Sequence, residues 1–178
     1  MRRAGMAFIL LPLLAAAAPL PVPPRAERGR AGADCRPGEP GPAVRVDIGG
    51  FKDRRGMLVL ELYPANDEDF LAADKALIAA GKVFRRVSAR PPATGNAQMC
   101  VRAPSPGRYA VFVLHDRDGN GRFGFLRDGV GFANNPRIGA SKPRAAQASI
   151  AIGPGVETIA ITLNYRRGLG FGPLDDTE

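Results

Sequence analysis

The densest group of chemically capable side chains in the sequence is His115-Asp116-Arg117-Asp118-Gly119-Asn120-Gly121. Asp116-x-Asp118-x-Asn120-Gly121 has the spacing of the first half of an EF-hand calcium loop. Alternate side chains present oxygens to one point, and the glycine permits the sharp turn. The carbonyl of Arg122 would add a backbone oxygen, and Phe123 stands where such loops carry an apolar residue. The second half departs from the pattern. Its twelfth position is Arg127 in place of a bidentate Glu, and Asp128, one place later, is the substitute. The expected ligands are therefore Asp116, Asp118, Asn120, Arg122 and Asp128, with Ca²⁺ the one cofactor suggested. A set this short implies weak binding, on the order of 10⁻⁴ to 10⁻³ M. A solvated hairpin loop in which Asp and Asn cap their own turn fits the same residues.

No catalytic residue is assigned. His115 is the single histidine. As a general base it needs a nucleophile and an orienting acid, and no serine lies in a G-x-S-x-G context. A histidine ending a core strand is more simply a packed, hydrogen-bonded residue. Gly119-Asn120-Gly121-Arg122-Phe123-Gly124 is formally G-x-G-x-x-G. A dinucleotide site needs those glycines to open a helix. Here a glycine-rich stretch without helical period follows, so the match is rejected.

The elements that must hold this loop read as strands. Val44, Val46 and Ile48 alternate with Arg45 and Asp47, and Leu58, Leu60 and Leu62 share one face. Residues 82–88 form a weaker run. Alternation returns at Ala97, Met99 and Val101, at Ala148, Ile150 and Ile152, and from Ile159 to Tyr165. Residues 109–114 are apolar on both faces and so read as a central strand. Each run is bounded by Gly, Pro or Asn. Seven short strands of this kind predict an all-β fold: a seven-stranded antiparallel sandwich of two sheets, with a long loop over 116–142 after the central strand. Residues 67–80 carry Phe70, Leu71, Leu77 and Ala80 and read as a short helix or ordered connection between sheets.

The N-terminus carries a compartment signal. Arg2 and Arg3 precede an apolar run from Met6 to Leu14, which ends in Ala15 to Ala18. That order is the layout of a secretory signal, and the run is shorter than the roughly 20 residues of a membrane span. The expected organisation is a signal peptide over 1–18, cut near Ala18, a Pro/Gly/Arg-rich linker over 19–42, the sandwich over 43–165 and a flexible tail over 166–178. The formal charge of +8 falls to +6 without Arg2 and Arg3. Nucleic-acid recognition is not expected, since no binding motif is present. Cys35 and Cys100 are an even pair in an oxidising compartment, where a bridge is expected. Two unpaired thiols are the alternative.

The run Pro106-Gly107-Arg108-Tyr109-Ala110-Val111-Phe112-Val113-Leu114-His115-Asp116-Arg117-Asp118-Gly119-Asn120-Gly121 resembles the signature of a bacterial family, domain of unknown function 2141. Gly131-Phe132-Ala133-Asn134-Asn135-Pro136 and the segment from Leu58 to Tyr63 with Phe70-Leu71 fit as well. The resemblance spans about residues 43–165. It implies an exported prealbumin-like or immunoglobulin-like sandwich without established activity. Two readings of function follow. In the first, a periplasmic or secreted module, non-catalytic and monomeric, binds an envelope protein or polymer through the 116–142 loop, with no transmembrane segment in the mature chain. Loops on rigid scaffolds are the usual place for recognition. The second reading is an envelope hydrolase using His115 with Asp116 or Asp118.

Overall fold

The computed structural model describes residues 21–139, 141–168 and 170–174. The signal expected over 1–18 lies outside the described residues. The strands are β1 (Ala43–Gly49), β2 (Met57–Pro64), β3 (Arg85–Ala89), β4 (Ala97–Arg102), β5 (Gly107–Asp116), β6 (Gly129–Phe132), β7 (Ser149–Ile152), β8 (Val156–Thr162), β9 (Asn164–Arg167) and β10 (Gly170–Pro173). A short helix, α1 (Asp74–Ala79), falls within the segment expected over 67–80, but that segment joins β2 to β3, paired neighbours in one sheet, and does not cross between sheets.

Two sheets stack as a sandwich. The smaller has the order β4-β1-β8, with β1 antiparallel to β4 and parallel to β8. The larger has the order β10-β9-β6-β5-β2-β3, all antiparallel, and β7 also pairs with β5. β5 is central, as its two apolar faces predict. β6 pairs with it over 112–115 and β7 over 107–110, so the two lie end to end along one side.

The all-β sandwich matches the expectation, with ten strands where the alternation showed seven. The run from Ile159 to Tyr165 is divided between β8 and β9. β10 falls in the segment expected as a flexible tail and pairs with β9. β6 interrupts the loop expected over 116–142, leaving a turn on each side of it. Its inward positions are Gly129 and Gly131, which hide it from a search for apolar alternation. A Cβ at Gly129 would lie 2.4 Å from the Tyr165 ring, and one at Gly131 would lie 2.4 Å from Ile161. Neither position has room for a side chain, so glycine permits the close approach.

Alternation along each strand assigns residues to two cores. Val44, Val46, Ile48, Leu58, Leu60 and Leu62 meet Val111, Val113, Ile161 and Leu163 between the sheets. On the outer face of the larger sheet, Val59, Tyr63, Phe112, Leu114 and Phe132 form a second core with Phe70, Leu77 and Phe84. The 67–84 segment thus packs on that face.

Two further attachments fix the frame. Residues 21–42, expected as linker, lie along the sandwich: Ala33 is fully buried, its carbonyl accepts the Arg102 N–H at 2.9 Å, and Asp34 bridges to Val101. Cys35 and Cys100 are joined, with Cα atoms 5.8 Å apart. Asn134 and Asn135 both adopt left-handed backbone (φ 62° and 45°), a conformation Asn tolerates. Asn134 Nδ2 donates to the carbonyls of Gln147 and Ser149. Asn135 Nδ2 donates to the Ala160 carbonyl, and its Oδ1 accepts the Thr162 N–H at 2.7 Å. The Gly-Phe-x-Asn-Asn motif therefore ties β6 to β7 and β8.

Candidate functional site

Neighbours on a strand point to opposite faces, and this separates His115 from the acidic loop. His115 points inward and is fully buried. Its Nε2 lies 2.8 Å from the Arg55 carbonyl and so carries the proton it donates there. Its Nδ1 lies 2.7 Å from the Tyr165 hydroxyl. With the imidazole proton on Nε2, Nδ1 accepts from that hydroxyl, whose oxygen in turn accepts the Lys52 N–H at 3.1 Å. Both ring nitrogens of the imidazole are partnered. Burial lowers its pKa, against the upward pull of the Arg55 carbonyl and Asp53. Neither Asp116 nor Asp118 reaches its ring nitrogens.

Asp116 ends β5 on the outer face and starts the loop over 117–128. Asp116, Asp118 and Asp128 come together, each offering an oxygen within 4.8 Å of the others. Asp116 and Asp128 are buried, whereas Asp118 is exposed. The loop holds itself through these groups. Asp116 Oδ2 accepts the Gly121 N–H at 2.7 Å and Oδ1 accepts that of Asn120 at 3.2 Å. Asp128 accepts the N–H groups of Arg117 and Gly124 at 2.9 and 2.7 Å. Asn120 Oδ1 accepts the Arg122 N–H at 2.7 Å, which turns its oxygen toward its own turn. Arg122 itself is exposed. No helix follows Gly119 and Gly121, which both adopt left-handed backbone (φ 68° and 71°).

Electrostatics sharpen the picture. Burial raises the Asp116 carboxyl above its ordinary value, and the nearby Asp128 and Asp118 raise it further against the Gly121 N–H. Burial also works upward on Asp118, but the Asn120 N–H and the Arg127 guanidinium outweigh it and hold that carboxyl low. At the foot of the loop Arg117 forms an ion pair with Asp53, and this holds the Asp53 carboxyl low. Among the described residues, Asp116, Asp118 and Asp128 are the acidic group that could hold a hard cation.

Beside the loop, a cleft of about 890 Å³ opens on the outer face. Phe112, Leu114, Val130 and Phe132 make its floor. Phe123 and Phe125, each 48% exposed, stand on the loop side with rings 5.9 and 5.2 Å from that of Phe171. Arg122, Phe123 and Phe125 flank it from one side and Ile138, Ser141 and Lys142 from the other, so both halves of the expected loop border one space. At one end, Glu61 is buried on β2, with Tyr63 Oη donating to it at 2.6 Å and the Arg86 guanidinium at 2.7 Å. Arg86 continues to Asp74, and Asp74 to Arg28, both at 3.1 Å. Burial would lift the Asp74 carboxyl, but Arg86 and Arg28 hold it low.

Sequence reasoning missed this relay, because a Glu in an alternating strand reads as solvent-facing. The one available signal was the Phe70 and Leu77 pattern, which announces a segment covering that face.

The fold and site define a β-sandwich module with a capped acidic loop beside an aromatic cleft. The chain belongs to the bacterial family DUF2141, described as uncharacterised protein conserved in bacteria, whose sequence model matches residues 46–160. No curated protein and no solved structure matches the chain. Among the described residues, no helix is long and apolar enough to cross a membrane.

Proposed function

We propose that the chain is an exported, non-catalytic module of the cell envelope that binds a ligand through the cleft bordered by residues 116–142. One observation carries this reading: an aromatic cleft of about 890 Å³ stands open beside the loop. Small-molecule sites occupy roughly 300–1,000 Å³ and are lined mostly by apolar and aromatic side chains. The residue order of 1–18 supports export, and so does the Cys35–Cys100 bridge, since such bridges persist in oxidising compartments. The hydrolase alternative gains no support, because His115 has both nitrogens engaged and faces away from Asp116 and Asp118.

Retention tests the binding reading. The purified protein is equilibrated with lipid, glycan and protein fractions of the envelope and re-isolated. A component held by the native protein and lost from a Phe123→Glu/Phe125→Glu variant supports it. Identical behaviour of the two proteins with every fraction overturns it. N-terminal sequencing tests export: the exported product should begin near Ala18, and a membrane-bound product retaining Met1 overturns that part.

A second reading concerns Ca²⁺. Three carboxylates within 4.8 Å of one another, two of them buried, repel when ionised, and a bound cation would relieve that repulsion. This supports Ca²⁺ stabilisation of the loop at millimolar concentration.

A further inference from the structure

The cleft has a mismatch between floor and rim. Its floor is apolar, and the polar atoms buried beside it are already partnered: Glu61 is held by Tyr63 and Arg86. Little remains there to read a hydrogen-bonding ligand. The rim is strongly positive. Among the described residues, six cationic side chains line the cleft against two carboxylates, Glu61 and Asp74. Both carboxylates are engaged by Arg86 and Arg28. Arg25, Lys75, Arg122 and Lys142 are left over, exposed, with no carboxylate partner among the described residues. Arg25 donates to the Gly121 carbonyl and Lys142 to that of Phe70, both neutral acceptors.

We propose that the cleft takes a single-chain anionic amphiphile: an acyl chain against Phe112, Leu114, Val130 and Phe132, and a carboxylate or phosphate head among Arg122, Lys142, Arg25 and Lys75. The proposal rests on the cleft being the binding surface and adds the chemical class of its occupant. A neutral head would leave these cations uncompensated, and a cationic one would be repelled by them. A purely polar anion would leave the exposed rings of Phe123 and Phe125 without an apolar partner. An anionic amphiphile satisfies both, with apolar burial supplying affinity and opposite charge fixing orientation. Free fatty acids and phosphate-headed single-chain lipids share this chemistry.

The experiment uses 1-N-phenylnaphthylamine, a neutral apolar fluorophore, to report on the cleft. The purified protein should enhance its fluorescence, and Phe125→Glu should abolish the enhancement. Dodecanoate or dodecyl phosphate, below their micellar concentrations, should displace the probe. Whichever does so at lower concentration identifies the head group. Dodecanol and dodecyltrimethylammonium should be weaker competitors. Arg122→Glu/Lys142→Glu should keep probe binding and weaken the anions by more than about tenfold, the effect of losing a single charge-assisted contact. Equal displacement by anionic, neutral and cationic dodecyl compounds overturns the amphiphile class while leaving the cleft as binding surface. So does an anion affinity unmoved by the charge reversal. Failure of the probe to bind at all overturns both readings.

Discussion

The Tyr165 ring passes over Gly129 of β6 and places its hydroxyl 2.7 Å from His115 Nδ1. Two strands that do not touch, β9 and β5, are thereby linked across the strand between them. Burial pushes the Tyr165 hydroxyl up to about 12, so it remains a donor throughout the working range. Tyr165→Phe would leave the His115 Nδ1 and the Lys52 N–H without this partner. The expected loss is about 1–3 kcal/mol, the cost of unsatisfied buried groups. Urea denaturation with an unchanged slope checks it; a change below a few tenths of a kcal/mol contradicts the assigned hydrogen bond.

Because His115 is held neutral, acid should destabilise the fold before its carboxylates titrate. The unfolded chain takes a proton near the ordinary imidazole value of 6.5, whereas burial keeps the folded His115 below it. The contribution is fully present above 6.5 and is lost as pH falls from there toward the lowered folded value. Asp116 acts oppositely: its raised carboxyl binds a proton in the folded chain first, so protonation there favours folding between the raised value and the ordinary 3.8. Denaturation midpoints at pH 8, 6.5 and 5.5 should decline, and His115→Gln should flatten the decline.

The bridge between Cys35 and Cys100 spans a sequence separation of 65 residues. Chain entropy values such a closure at roughly 4 kcal/mol. Cys35→Ser/Cys100→Ser should lose stability of that order. A thiol assay on the denatured, unreduced native protein should find no reactive sulfhydryl.

Ca²⁺ binding to the loop of the folded form alone would stabilise it by mass action. At ten times the dissociation constant the gain is about 1.4 kcal/mol, a melting shift of a few degrees. Mg²⁺ should do less, since it demands tighter octahedral geometry. Asp118→Ala, at the exposed member of the trio, should remove the shift without unfolding the domain. Equal melting temperatures in chelator and in millimolar Ca²⁺ would reduce the loop to a self-capped turn.

What the sequence revealed followed physical signal strength. Val44 to Ile48, Leu58 to Leu62 and the doubly apolar residues 109–114 declared strands, because side-chain alternation is the direct imprint of a pleated sheet. β6 and β10 were silent, since Gly129, Gly131, Gly170 and Gly172 carry no side chain to alternate. Residues 21–42 read as linker by composition, which cannot register that Ala33 is buried or that Arg28 reaches Asp74. The acidic loop was legible because Asp116, Asp118 and Asn120 are near neighbours in sequence. The cleft was not, because Arg25, Glu61, Phe112, Phe132 and Phe171 meet only after folding.

The attachments around the smaller sheet have one more consequence. Its outermost strands, β4 and β8, would each present a row of unpaired backbone groups, the template on which foreign strands add and aggregates grow. Along β4, Asp34 pairs with Val101, the Arg102 N–H reaches Ala33, and the cystine holds this short piece in register. Along β8, the Asn135 side chain engages the Ala160 carbonyl and the Thr162 N–H, the two contacts a neighbouring strand would make. A disulfide-anchored scrap of chain on one flank and a single carboxamide on the other thus guard the sheet against recruitment into a larger one.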